Sequence, residues 1–137
     1  MKILFDINII LDVMLLRQPF LDSSLKLLIA VEKGNIEGYL CSSSITTIHY
    51  LIAKVKNSKI ANDKVGDLLK LFNISSVNQS IFISALDSKF SAFEDAVIHE
   101  SAFYNQLDGI VTRNINDFKK SKISIYTPKE LYLLITG

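Results

Sequence analysis

A chain of 137 residues with 49% hydrophobic and 21% charged residues can bury a substantial core and is too apolar to stay disordered. Its formal net charge of +1 neither supports nor forbids nucleic acid, so any phosphate-binding surface must be a local patch. A single cysteine, Cys41, excludes an intrachain disulfide and a thiolate zinc site. No apolar run approaches the roughly 20 residues of a membrane span. Asp6 makes the N-terminus a poor signal peptide. A single cytoplasmic domain over residues 1–137, with no membrane contact, is the expectation.

Taken in chain order, Lys2–Phe5 reads as a short strand closed by Asp6, followed by a short helix over about Ile9–Leu15. Arg17–Phe20 is a loop. Leu21–Lys33 carries Leu25, Leu28 and Ile29 at helical spacing, and Gly34 stops it. Gly38–Cys41 is a second strand, and Ser43 or Ser44 can cap a helix to about Lys56. Asn62 can cap the next, with Val65, Leu68, Leu69 and Phe72 on one face. Ile74–Val77 is a third strand and Gln79–Leu86 a short helix. Ser91 and Glu94 have the spacing of a capping box for a helix to about Asn105. Gly109–Thr112 and Ser124–Tyr126 are the fourth and fifth strands. Thr127, Pro128 and Glu130 supply a cap, a first-turn proline and a box partner for a last helix. Short strands alternating with helices predict a three-layer α/β/α sandwich around a mainly parallel sheet of four to five strands.

Such sheets bind ligands at the carboxyl ends of their strands. Asp6 ends the first strand. The loop "RNINDF" after the fourth supplies Asn114 and Asp117, and Glu94 and Asp95 fall in the first turn of a helix. In a parallel sheet these positions share one edge, so Asp6, Asp95 and Asp117 can converge. Carboxylates brought together repel, and a cation relieves that repulsion. Oxygen-only ligands select hard ions such as Mg²⁺ or Mn²⁺. A hard ion there can activate water and neutralise a phosphodiester. Plainer readings exist for each residue alone. Glu94 and Asp95 suit a helix macrodipole, and Asp117 suits a turn. Asp6 is harder to set aside, because strands disfavour aspartate.

Together "FDINIILD", "FEDAV" and "IVTRNINDF" resemble, in order and over nearly the whole chain, the motifs of PIN domains, the nuclease fold of VapC-type toxins. The resemblance implies a Mg²⁺- or Mn²⁺-dependent endoribonuclease, often the toxin of a type II toxin–antitoxin pair. By position it implies that Asp6, Asp95 and Asp117 are catalytic and metal-binding. Asn8, Glu94, Thr112 and Asn114 would support them, and Arg113 beside the acids would meet substrate. Two positions depart from the pattern. The second acid of the family would fall near Thr47, and Asn114 stands where an aspartate is frequent. A site with fewer acids should hold metal more loosely.

Asp12 lies one turn beyond Asn8, facing either the rim or solvent. His99 follows Asp95 by one turn, so it could orient that carboxylate or simply pack; His49 reads as a packing residue. A haloacid-dehalogenase-type phosphatase is disfavoured by Asn8 in place of a second aspartate. A receiver domain, which wants paired acids after the first strand and a lysine after the last, finds no convincing match. The alternative from another class is a catalytically degenerate PIN-like fold that binds RNA or protein, for which Thr47 is the argument. Apolar residues in Ile48–Ile52 and Val65–Phe72 suggest a homodimer surface, unless both segments are core.

Overall fold

The computed structural model describes residues 1–137 throughout. Five strands form one sheet: β1 (Lys2–Phe5), β2 (Glu37–Cys41), β3 (Asn73–Ser75), β4 (Gly109–Val111) and β5 (Ser124–Tyr126). Their order is β3-β2-β1-β4-β5, and every pairing is parallel. The seven helices are α1 (Ile7–Met14), α2 (Leu21–Glu32), α3 (Ile45–Val55), α4 (Ser58–Leu71), α5 (Gln79–Asp87), α6 (Phe93–Tyr104) and α7 (Pro128–Thr136). The expected α/β/α sandwich with a parallel sheet is the fold observed.

Strand alternation sorts the core into two layers. Ile3, Phe5, Leu40 and Val111 point to the face covered by α1–α4 and α7. Leu4, Cys41 and Ile110 point to the other, where α5 and α6 pack with Phe118. Continuous apolar strands of this kind are what a sheet covered on both faces requires. Gly38 lets the sheet accept Phe72, since a Cβ there would stand 2.6 Å from that ring. Phe72 in turn meets Phe5 edge to face at 5.0 Å.

Several element boundaries differ from those read in sequence. α4 starts at Ser58, capped by Asn57, whose Oδ1 accepts from Ile60 N at 2.8 Å. Asn62 lies inside that helix, and its Oδ1 meets His49 Nε2 at 2.6 Å. The chain leaves helical geometry at Lys56 and Asn57, so the cap falls on the first suitable side chain there. A 3₁₀ turn over Ser42–Ser44 precedes α3, and no serine side chain caps that helix. The residue before α6 is Ala92, with no side-chain oxygen to accept, so Ser91 and Glu94 form no box. The Thr127–Glu130 capping box does form, with Pro128 at the helix start.

β1 and β4 are adjacent, and the connections leaving them diverge to opposite sides: α1 on one face, the 3₁₀ turn Ile115–Phe118 on the other. The crevice at such a reversal is where open parallel sheets hold ligands.

Candidate functional site

Asp6 stands at this crevice. Its backbone N–H donates to Val111 O at 3.0 Å, which extends the β1–β4 ladder by one residue. The side chain then acts as N-cap of α1, Oδ1 accepting from Ile7 N at 2.8 Å. Thr112 Oγ1 donates to Asp6 Oδ2 at 2.8 Å. The Thr112 oxygen is itself fixed, because it accepts from Asn114 N at 3.1 Å. Both carboxylate oxygens of a buried aspartate are thus engaged by fixed donors.

Burial pushes the Asp6 carboxyl up from its ordinary value, against the bonds from Thr112 and Ile7, and nearby Asp117 pushes the same way. Asp95, on the first turn of α6, is pushed up to about 6 by burial first and then by Asp6, Asp117 and Glu94. Glu94 is raised by burial and by Asp6. These groups share one electrostatic field although up to 111 residues separate them in sequence (Asp6 to Asp117). Asp117 lies exposed on the 3₁₀ turn, and Asn8 is partly buried in α1. As placed, no three His, Cys, Asp or Glu side chains stand close enough to hold an ion. Asp6 is fixed, whereas Asp117 is surface-exposed and Asp95 partly so. The donor set suits a hard, oxygen-seeking cation: it consists of carboxylates, with no imidazole or thiolate among them.

Arg113 and Asp12 occupy places that sequence spacing did not reveal. Asp12 is 0% exposed. Arg113 Nη2 donates to Asp12 Oδ1 at 3.1 Å, and Nε stands 2.8 Å from Oδ2 without aiming its N–H along that line. Arg17 Nη1 approaches the same carboxylate at 3.8 Å. The Arg113 guanidinium lies 3.8 Å over the centre of the Phe20 ring. Burial raises the Asp12 carboxyl, and Arg113 and then Arg17 pull it back. Asp12 therefore faces neither the acidic rim nor solvent. The Arg113 side chain, 22% exposed, is in large part a clamp between the closing motif and α1.

His99 does not orient Asp95. Its Nε2 accepts from Lys122 N at 3.0 Å, which leaves the proton on Nδ1 to face Glu100 Oε1 at 3.4 Å. Burial lowers its pKa and keeps the ring neutral. Its packing against Phe90, ring centres 4.7 Å apart, makes it a core residue. Ile48, Ile52, Leu68 and Phe72 are likewise core, so the apolar segments of α3 and α4 mostly face inward.

Comparison with known proteins agrees with this architecture. A family model described as PIN domain matches residues 2–116. No curated protein matches the chain. Among solved structures, VapBC2 from Rickettsia felis, bound to a DNA fragment from its promoter, contains a chain of the same fold: TM-score 0.71, 16% identity, covering 93% of this chain and 98% of that one. FitAcB from Neisseria gonorrhoeae gives a TM-score of 0.70 at 22% identity, with 93% and 98% covered. A toxin–antitoxin complex from Klebsiella pneumoniae gives 0.68 at 23% identity, with 91% and 96% covered. With the motifs in order along the chain and the family model spanning most of its length, the protein belongs to the PIN domain family.

Proposed function

We propose that the protein is a Mg²⁺- or Mn²⁺-dependent endoribonuclease and the toxin of a toxin–antitoxin pair. The observation that carries this reading is the Asp6 carboxylate fixed at the crevice between β1 and β4, with Asp95 and Asp117 in its electrostatic neighbourhood. These three residues would hold the ion, with Glu94, Asn8 and Asn114 around them. A bound hard cation supplies Lewis acidity toward a phosphodiester and lowers the pKa of bound water.

The chain's own residues prepare the site. Thr112 fixes the direction of the Asp6 carboxylate, and the Asn114 N–H fixes Thr112. The proton that Asp95 retains up to about pH 6 must leave before that carboxylate can act as a ligand. Arg113 contributes positive charge near the acids while its fork holds Asp12.

A protein antitoxin is the proposed partner, since the similar solved chains come from toxin–antitoxin complexes. Cytoplasmic residence goes with that reading; no helix is long and apolar enough to cross a membrane. A homodimer is proposed as well. Its apolar surface now centres on α5, where Phe82, Ile83 and Leu86 are exposed beside Phe93 at the start of α6.

The test is cleavage of single-stranded RNA by purified protein. Wild type should cut with Mg²⁺ or Mn²⁺ and stop with chelator, and Asp6→Asn and Asp95→Asn should each abolish cutting. Cleavage that persists in Asp6→Asn, or in excess chelator, sinks the mechanism. One observation favours a second reading: the carboxylates as placed form no ready cage, which goes with Thr47 at the position where the resemblance implies an acid. A binding module of this kind would hold RNA equally with and without metal and cut no substrate.

A further inference from the structure

Beyond the acids, the surface continues into a groove between the first turns of α2 and α7. A cavity of about 290 Å³ opens there, lined by Ser23 and Ser24 of α2, Arg113, and Thr127, Pro128 and Lys129 at the start of α7. Ser24 is fully buried, and its hydroxyl has no hydrogen-bond partner in the protein. Arg113 Nε makes no aligned hydrogen bond either, but it stands 2.8 Å from Asp12 Oδ2 and is committed to that ion pair. Such an orphaned hydroxyl is uncommon in a folded core, because leaving its bond unmade costs about 1–3 kcal/mol. Ser24 and Arg113 both line the cavity. Of the first-turn backbone N–H groups, those of Ser23 and Lys129 are free beside the cavity. Leu21 N and Ser24 N donate to Arg17 O and Phe20 O, Pro128 has none, and Glu130 N donates to Thr127 Oγ1. Free helix-start donors of this kind suit an anion.

The charge balance agrees. Asp12 is a single carboxylate facing two guanidinium groups, Arg113 and Arg17, which leaves one positive charge over. Lys129 adds another. No acidic residue lines the cavity, and the Glu130 carboxylate accepts from Thr127 N at 2.9 Å instead. The cavity is also not isolated. It shares Arg113 and Thr127 with the cleft that contains Asn114 and Asp117. On its other side it shares Ser23, Pro128 and Lys129 with a depression that adds Lys26 and again no acid. Arg113, Lys129 and Lys26 thus follow one another along a path that starts at the acidic rim.

We infer that this path is a track for single-stranded RNA, with one backbone phosphodiester held in the Ser24–Arg113–Lys129 cavity next to the phosphate that reacts. The strand's identity rests on the ribonuclease reading, whereas the anion site stands on its own geometry. Every polar side-chain group named in the cavity can donate hydrogen bonds, which suits a phosphate with its several acceptor oxygens. A linear run of cations suits a chain with one negative charge per nucleotide.

Binding of a single-stranded oligouridylate is measured in the non-cleaving Asp6→Asn background at several salt concentrations. Lys129→Gln and Lys26→Gln should each reduce the slope of log K against log salt by about 0.7, the loss of one phosphate contact on a single strand. Ser24→Ala should weaken binding severalfold while leaving the melting temperature unchanged or higher, because it removes an unpaired buried hydroxyl. Lys33→Gln, just past the far end of α2, should change neither quantity. In parallel, inorganic phosphate should shift the Ser23 and Lys129 amide resonances of the wild type. Phosphate shifts with undiminished salt slopes would overturn the track and leave only a free-anion site. RNA binding with unchanged slopes and no phosphate shifts overturns the track and the anion site, yet leaves wild-type cleavage to support the nuclease. A wild type that neither binds nor cuts RNA removes both.

Discussion

Asp6 and Asp12 are six residues apart, both buried, and they meet opposite electrostatic fates. Asp6 takes hydrogen bonds from a hydroxyl and an amide but has no ion-pair partner, whereas Asp12 is held by two arginines. Neutralising them should therefore act in opposite directions. Asp12→Asn leaves Arg113 and Arg17 without their counter-charge and should cost about 3–5 kcal/mol, read as a fall in the denaturation midpoint. Asp6→Asn should leave the metal-free protein as stable or more so, because like charges at the rim are reduced. Asp95 gives the pH dependence. Its folded pKa of about 6 lies above the ordinary 3.8, so the folded state binds the extra proton between these values. Stability of the metal-free protein should fall as pH rises through that window and level off above it. Asp95→Asn should flatten this part of the curve and raise the melting temperature at neutral pH, as thermal scans in chelator would record. Asp6 and Asp95 could be singled out in sequence because one closes a strand and the other opens a helix, positions whose side of the sheet topology fixes. Asp117, on a 3₁₀ turn beyond β4, rests on the motif instead. The Asp12–Arg113 pair could not be read there, since its partners are 101 residues apart and only tertiary packing decides that they meet.

At the level of elements, sequence patterning located every strand and helix, and missed mainly where helices begin. Caps are decided by where the backbone leaves helical geometry, and several nearby Asn and Ser residues compete for that role. Asn57 won over Asn62, so Asn57→Ala should cost about 1 kcal/mol. Asn62→Ala should cost less, because it removes only an exposed contact to His49; paired urea titrations would rank the two. Thr127→Ala should match Asn57→Ala, since it breaks a complete capping box. The α3 segment also carries the departure at Thr47. Thr47→Glu would supply the acid that the PIN-domain resemblance places there, and under the nuclease reading it should tighten Mn²⁺ binding by calorimetry. An unchanged affinity would place Thr47 away from the ion.

For the molecule as a whole, layering followed from composition and alternation, but the exposed apolar surface did not. The segments of α3 and α4 that looked too hydrophobic for one face supply core residues, while α5 leaves Phe82, Ile83 and Leu86 in solvent. Exposed apolar surface of this sort marks an interaction site. If α5 forms the dimer, Leu86→Glu should convert a species of twice 15.4 kDa to monomer by sedimentation at micromolar concentration. A wild type already monomeric there removes the proposal.

The strand order also dictates when, during synthesis, the acidic rim can exist. β1 emerges first, yet one of its neighbours in the sheet is β4, with Phe5 paired to Val111. Thr112, which fixes Asp6, lies 106 residues downstream of it. A nascent chain that has reached only β3 carries Asp6 with no Thr112, Asp95 or Asp117. Ribosome-bound intermediates should therefore be inert, and the three acids come together only when the chain is nearly finished. Under the proposed toxin reading, this non-local pairing would be a built-in delay: the longest-range contact in the sheet, between β1 and β4, is also the one that completes the surroundings of Asp6.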